Sequence, residues 1–319
     1  MSADTSAMQE SMASQPSELA RMLADTAPVE AAANRIRGAR RILLAGTGTS
    51  FHAANQGAYL LRAAGREAWA IEPFAATLGG PAPASGDALI LLSHRNSKRY
   101  ATTTRDEARR REIRTVVISG IGAGGDIETV PPESSSAFTA SHLGALMRVA
   151  QLARALGADL PELERVPDSV GSALTVPPPG VRPPARLLEF TGAGTNAWTA
   201  AEGALKTRET SYVATEGLSA EQLLHGPGVA LRPGDGLVAL DGGGAGSERV
   251  LEIAGAARRF GAEVITISSH ELPELLSIFP LTVAVQRIAL DLARQLGTDP
   301  DSFGRDRPGH EEAWGALSL

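Results

Sequence analysis

The chain has 319 residues, 43% of them hydrophobic and 21% charged, with a formal net charge of -6. That length suits two domains of about 150 residues with a sizeable core. The arginines are scattered or followed by acids, as in TRDEARRREIR, so no basic field for nucleic acid exists, and the absence of cysteine excludes disulfides, thiolate metal sites and cysteine nucleophiles.

The opening residues MSADTSAMQESMASQPSE carry neither a basic nor an apolar targeting region, and no run of about 18 apolar residues stands out later. The expectation is a cytoplasmic protein with no membrane segment. Residues 1–37 read as a helical segment: Pro16 and Ser17 open SELARMLA, and Pro28 opens VEAAANRIR, both helix-start signals.

In ARRILLAGTGTS a short apolar run, Ile42 to Ala45, ends in glycines, and SFHAANQGAYLLRAAG follows at helical period. Strand, loop and helix recur through AWAIEPF, DALILLSHRNSK with YATTTRDEARRRE, RTVVISG, and IETVPPESSSAF with the apolar helix TASHLGALMRVAQLARALG. Near-continuous apolar strands alternating with helices predict a parallel sheet covered on both faces, here over 38–165. From 166 to 184, VPDSVGSALTVPPPGVRPP, proline density argues against regular helix and predicts an extended linker. The pattern restarts over 185–296, with LEFTGAGTN repeating LLAGTGTS, and residues 297–319 form a tail without clear periodicity. The expected fold class is α/β, two tandem domains that each carry a parallel sheet between helices.

Ligands of open parallel sheets bind beyond the carboxyl ends of the strands. The loop Gly46-Thr47-Gly48-Thr49-Ser50 offers backbone N–H groups and hydroxyls at a helix start, suited to an anion, although a plain tight turn or a nucleotide loop reads similarly. Ser93-His94-Arg95-Asn96-Ser97-Lys98 concentrates basic groups at another helix start, where they oppose the macrodipole unless an anion is present. Glu133-Ser134-Ser135-Ser136 precedes a third helix and reads as an N-cap series or as hydroxyls for a sugar phosphate.

The stretch EGALKTRETSYVATEGLSAEQLLHGP places Glu202, Lys206 and Glu209 at i, i+4 and i+7, on one helical stripe. Such a stripe is an ordinary solvated face or a charged site. Lys98 and Lys206 are the only lysines, in a chain whose other basic side chains, histidines aside, are arginines. A compact ammonium that can titrate or meet a phosphate is therefore confined to two motif-like segments. His225 is a helix-end histidine or an acid/base group. His52, His142 and His270 show no ligand spacing, so no metal is assigned and no cofactor is expected.

With EGALK-x-x-E followed by HGP, the sequence resembles the double sugar-isomerase (SIS) domain proteins, typified by the isomerase half of glucosamine-6-phosphate synthase. The likeness runs from Met8-Gln9-Glu10 and Gln15-Pro16 to Gly297-Thr298-Asp299. It implies two flavodoxin-like three-layer αβα domains and a phosphorylated sugar as ligand. The sugar phosphate would be held by Gly48, Thr49 and Ser50, by the loop of Ser93, His94, Arg95 and Lys98, and by Ser134 and Ser135. The resemblance gives Glu209 the proton transfer between C1 and C2, His225 ring opening from the partner subunit of a homodimer, and Glu202 and Lys206 the organisation of the site. Three features depart from the family: SHRNSK stands where hydroxyl groups are usual, no lysine follows Lys206, and this sequence has neither a glutaminase domain nor a cysteine to serve one. The expected activity is that of an isomerase or deaminase of the fructose 6-phosphate or glucosamine 6-phosphate type; the alternative is a non-catalytic sugar-phosphate sensor.

Overall fold

The computed structural model describes residues 5–315 and residue 317. The first four residues of the expected helical segment and residues 316, 318 and 319 of the tail lie outside the described residues. The chain divides into two units, each with its own sheet. The amino-terminal unit holds Gln15–Glu133, Ala140–Glu164 and residue 317; the carboxy-terminal unit holds the described residues up to Ser14, Ser134–Thr139 and residues 165–315.

In the amino-terminal unit, strands β1 (Ile42–Ala45), β2 (Ala68–Ile71), β3 (Ala88–Leu92), β4 (Arg114–Ser119) and the two-residue β5 (Ile127–Glu128) form one parallel sheet in the order β2-β1-β3-β4-β5. Every residue of β1 and β3 is buried, as strands covered on both faces require. Helices α2 (Ala27–Ile36), α3 (Thr49–Ala63), α4 (Pro73–Thr77), α5 (Arg99–Arg110) and α6 (Ala140–Ala155) complete the unit, together with the later part of α1 (Ala7–Ala24). The side chain of Arg148 on α6 is fully buried, yet its charge is compensated. It donates to the carbonyls of Met22, Asp25 and Glu128 and pairs with the Asp25 carboxylate at 2.9 Å.

The carboxy-terminal unit repeats the plan. Strands β6 (Leu188–Gly192), β7 (Thr215–Ser219), β8 (Gly236–Asp241) and β9 (Glu263–Ser268) lie parallel in the order β7-β6-β8-β9. Helices α7 (Val166–Thr175), α8 (Asn196–Ser211), α9 (Ala220–Leu224), α10 (Ser247–Phe260), α11 (Glu274–Leu296) and α12 (His310–Trp314) surround them. Phe190 of β6 packs with Ala204 of α8 and with Leu281 and Val285 of α11. A Cβ at Gly203 would come within 2.9 Å of both Phe190 and Val285, so this glycine sets how closely α8 approaches the core. The 23-residue α11 is the one described helix long and apolar enough to cross a membrane by length and composition. The share of its most apolar window that is buried, 78%, is that of a core helix.

Several local expectations change. Pro16 lies inside α1 instead of opening a helix, because Met8, Met12, Leu19 and Met22 continue one buried stripe through it. The stretch Val166–Thr175, expected to be extended, is α7; Pro167 lies at its first positions, where a missing N–H costs nothing. Strand β7 forms within TEGLS, where no strand is expected, and the tail contains the short α12.

Candidate functional site

In the amino-terminal unit the turn after β1 is closed by close backbone approach. A Cβ at Gly46 would stand 2.3 Å from the Ser50 carbonyl oxygen, so only glycine admits this turn. Gly48, at φ 59°, caps α3, and its carbonyl accepts from the Phe51 N–H at 2.8 Å. Gly48 is exposed, while Thr49 and Ser50 are half-buried at the helix start. From α6, the buried His142 brings Nδ1 to 3.3 Å from the Thr49 carbonyl.

After β3, Ser93 is buried and its N–H donates to the Ile118 carbonyl, while the Gly120 N–H donates to the His94 carbonyl at 2.8 Å. Asn96, at φ 49°, donates through its amide to the Ala123 carbonyl and accepts from Arg105 at 2.7 Å. These bonds present Arg95, exposed, and Lys98, half-buried at the N-cap of α5, on one loop. Burial, and then the charge of Arg95, hold the Lys98 ammonium below its ordinary range. Burial likewise lowers the His94 pKa; the Glu133 carboxylate opposes the shift and Arg95 adds to it. Crowded cations at a helix N-terminus are relieved by an anion.

The serine segment of the carboxy-terminal unit exposes Ser134 and buries Ser135, whose Oγ accepts from the Ala137 N–H at 3.2 Å. The N-cap expected of these serines falls instead to Glu133, in the amino-terminal unit. Its two carboxylate oxygens accept from the N–H groups of Ala140 and Ser141 on α6 at 3.1 and 2.9 Å. A cap seven residues ahead of its helix has no local sequence signature.

The stripe on α8 is not a solvated face. The Glu202 and Lys206 side chains are fully buried, with Nζ 3.6 Å from Glu202 Oε1 and hydrogen-bonded to Glu209 Oε2. The Glu209 side chain is 14% exposed, so the buried charges end in one carboxylate that reaches the surface. The helix departs from regular amphipathic packing here, since Thr207, Thr210 and Ser211 are also buried and return their hydroxyls to carbonyls one turn back.

His225 stands apart, at the end of α9, with a side chain that is 73% exposed. Its Nε2 lies 3.2 Å from Glu221 Oε2, and Glu221 also binds Arg249. The structure thus joins Glu202, Lys206 and Glu209 in one cluster, sets Ser93, His94, Arg95 and Lys98 on one loop and Gly48, Thr49 and Ser50 on another, and leaves His225 at a helix end. The supporting role of His142 has no signal in the sequence, since 93 residues separate it from the carbonyl it meets, whereas Glu133 opens the segment read as a capping series.

The family model for the SIS domain matches twice, at residues 35–123 and 185–276. Over 298 residues the chain is 26% identical to the glutamine–fructose-6-phosphate aminotransferase (isomerizing) of Pyrococcus horikoshii, covering 82% of this chain and 50% of that protein. The chain therefore spans about half the length of that relative. Among solved structures, the C-terminal domain of glucosamine-fructose-6-phosphate aminotransferase from Francisella tularensis superposes with a TM-score of 0.80 at 14% identity, covering 94% of this chain and 99% of that one. Glucosamine-6-phosphate deaminase from Thermotoga maritima gives 0.76 at 19% identity, covering 93% and 97%. At such identities the structural likeness is one of fold. With one strand-and-helix pattern built twice and one family model matched twice, the chain belongs to the SIS domain family.

Proposed function

We propose that this chain is a cytoplasmic enzyme that moves a proton between C1 and C2 of a phosphorylated keto- or amino-sugar, as an aldose–ketose isomerase or an amino-sugar-phosphate deaminase. The observation that carries this reading is the cluster on α8. Two carboxylates and an ammonium taken out of water cost several kcal/mol in desolvation, and here they lead to one part-exposed carboxylate, Glu209. Glu209 is the proton-transfer base; Lys206, with Glu202 behind it, orients that carboxylate through the hydrogen bond from its Nζ.

Gly48, Thr49 and Ser50, with Ser93, His94, Arg95 and Lys98, hold the phosphate, and Ser134 and Ser135 meet the sugar. The crowded cations of Arg95 and Lys98 support the first assignment. The SIS domains span 38–165 and 185–296, separated by the 166–184 segment. His225 acts in a second copy of the chain; its exposure, beside exposed Leu224 and Val229, supports a homodimer.

The test is incubation with fructose 6-phosphate or glucosamine 6-phosphate in deuterated water, following C1 and C2 by NMR. Deuterium entry at those carbons is the expected result. Binding of either sugar phosphate without exchange would make the protein a sensor.

A further inference from the structure

We infer that Arg305 contacts the substrate in this same site, supplying the positive charge that meets the sugar carbonyl oxygen as it becomes anionic; the inference rests on the proton-transfer reading above. The starting point is how the tail is fastened. Helix α11 ends at Gly297 in the left-handed conformation, and Thr298 Oγ1 then donates to the Thr210 carbonyl at 2.8 Å, one residue beyond Glu209. Tyr212 caps α8 at φ 59°, a costly conformation for a bulky residue that persists only when its surroundings enforce it. Here they do. The Tyr212 hydroxyl donates to Asp306 Oδ1 at 2.8 Å, lies 2.8 Å from Ser302 Oγ and accepts from the Gly304 N–H at 3.1 Å, while Arg307 stacks 5.2 Å from its ring centroid.

The segment from Thr298 to Arg307 is therefore built on the carboxyl end of the helix that carries Glu209. Asp306 is held below its ordinary range by Ser302 and Tyr212, and Arg307 covers the ring, so both are committed to that clasp. Arg305, immediately before them, is exposed and extends to the serine segment, where its guanidinium donates to Ser136 Oγ. Among the described residues this is its only side-chain partner.

The chemistry requires such a group. Glu202, Lys206 and Glu209 carry a net negative charge when ionised, and removing a proton beside a carbonyl puts further negative charge on its oxygen. A guanidinium stays protonated and presents several N–H donors in a fixed plane, so it stabilises that oxygen by hydrogen bonding without forming an imine.

The experiment compares the parent chain with Arg305→Met and Arg305→Lys. It reads solvent deuterium exchange into fructose 6-phosphate, and separately the Kd for glucitol 6-phosphate, which has the phosphate but no carbonyl. Arg305→Met should lower the exchange turnover at least about tenfold with the glucitol 6-phosphate Kd within about threefold, and Arg305→Lys should recover part of the rate. A parent-like rate in Arg305→Met would overturn the inference, as would a rate lost only through weakened glucitol 6-phosphate binding, which would make Arg305 a phosphate ligand. An unfolded Met variant leaves the Lys variant to decide: a folded Arg305→Lys with parent turnover and only a shifted Kd also overturns it. Absence of exchange in the parent chain removes the proton-transfer reading itself, whereas exchange in the parent that is indifferent to Arg305 removes this inference alone.

Discussion

Glu202 and Lys206, one helical turn apart on α8 and with no side-chain surface exposed, lie 3.6 Å from one another. At the surface such an i, i+4 pair contributes a few tenths of a kcal/mol. In the interior, removing one member strands the other charge. Lys206→Met is expected to destabilise the carboxy-terminal unit by about 3–5 kcal/mol, and Glu202→Gln with Lys206→Met to recover part of that loss. Chemical denaturation of the parent and both variants checks this; a loss under about 0.5 kcal/mol for Lys206→Met would contradict the buried pair.

Glu209→Gln keeps the shape of the side chain and removes the base. Solvent deuterium incorporation at C1 or C2 is expected to fall about 10²-fold or more, while sugar-phosphate binding survives. Exchange at the parent rate would leave the α8 cluster a purely structural feature.

Lys98→Met removes a charge-assisted bond to phosphate worth about 1.5–3 kcal/mol, so sugar-phosphate binding should weaken roughly ten- to hundredfold. Calorimetric titration with fructose 6-phosphate measures it directly. Unchanged affinity would make Lys98 a bystander to Arg95.

Glu189, at the second position of β6, is fully buried, and neither carboxylate oxygen has a hydrogen-bond partner among the described residues. Burial, then the charge of Glu216, push its pKa up from 4.5 to about 7, with Arg208 opposing, Asp235 adding and Arg186 opposing. A carboxyl whose folded pKa lies above its unfolded value favours folding while it is protonated in both states. That contribution is lost as pH rises from about 4.5 to about 7, where the unfolded chain ionises and the folded one resists. Denaturation midpoints measured from pH 5 to pH 8 should therefore decline less in Glu189→Gln than in the parent. Parallel pH profiles would show that Glu189 titrates normally.

Glutamine-dependent amination needs a nucleophile to release ammonia, and this chain has no cysteine. Lys206 is buried between two carboxylates, 3.6 Å from Glu202 Oε1 and hydrogen-bonded to Glu209 Oε2, so its amine is committed to them and not open to a sugar carbonyl. The chain by itself is expected to make no glucosamine 6-phosphate from glutamine and fructose 6-phosphate. An assay for ammonia and both sugars, with glutamine as the sole nitrogen source, decides it.

The α/β class, the doubling of the plan and most strand positions were legible from the residues alone, because buried parallel strands such as ILLA and ALILL are locally apolar and end in glycine or polar loops. So were Glu202, Lys206 and Glu209, since helical spacing is a local property. Whether that stripe was solvated depended on packing: the same residues would read alike on a surface helix, and it is the packing of α8 against the sheet and α11 that removes water from Lys206. Pro16 shows the same limit, for a break that local propensity demands is overridden by a stripe of methionines and leucine that must be buried. The cap by Glu133, the contact of His142 with the Thr49 carbonyl and the clasp of Tyr212 by Ser302 and Asp306 join residues 7 to 94 positions apart. For His142 and Tyr212 the partners are chosen by chain closure, a long-range event that no window of sequence contains, while the cap by Glu133 spans an irregular segment with no regular spacing to mark it.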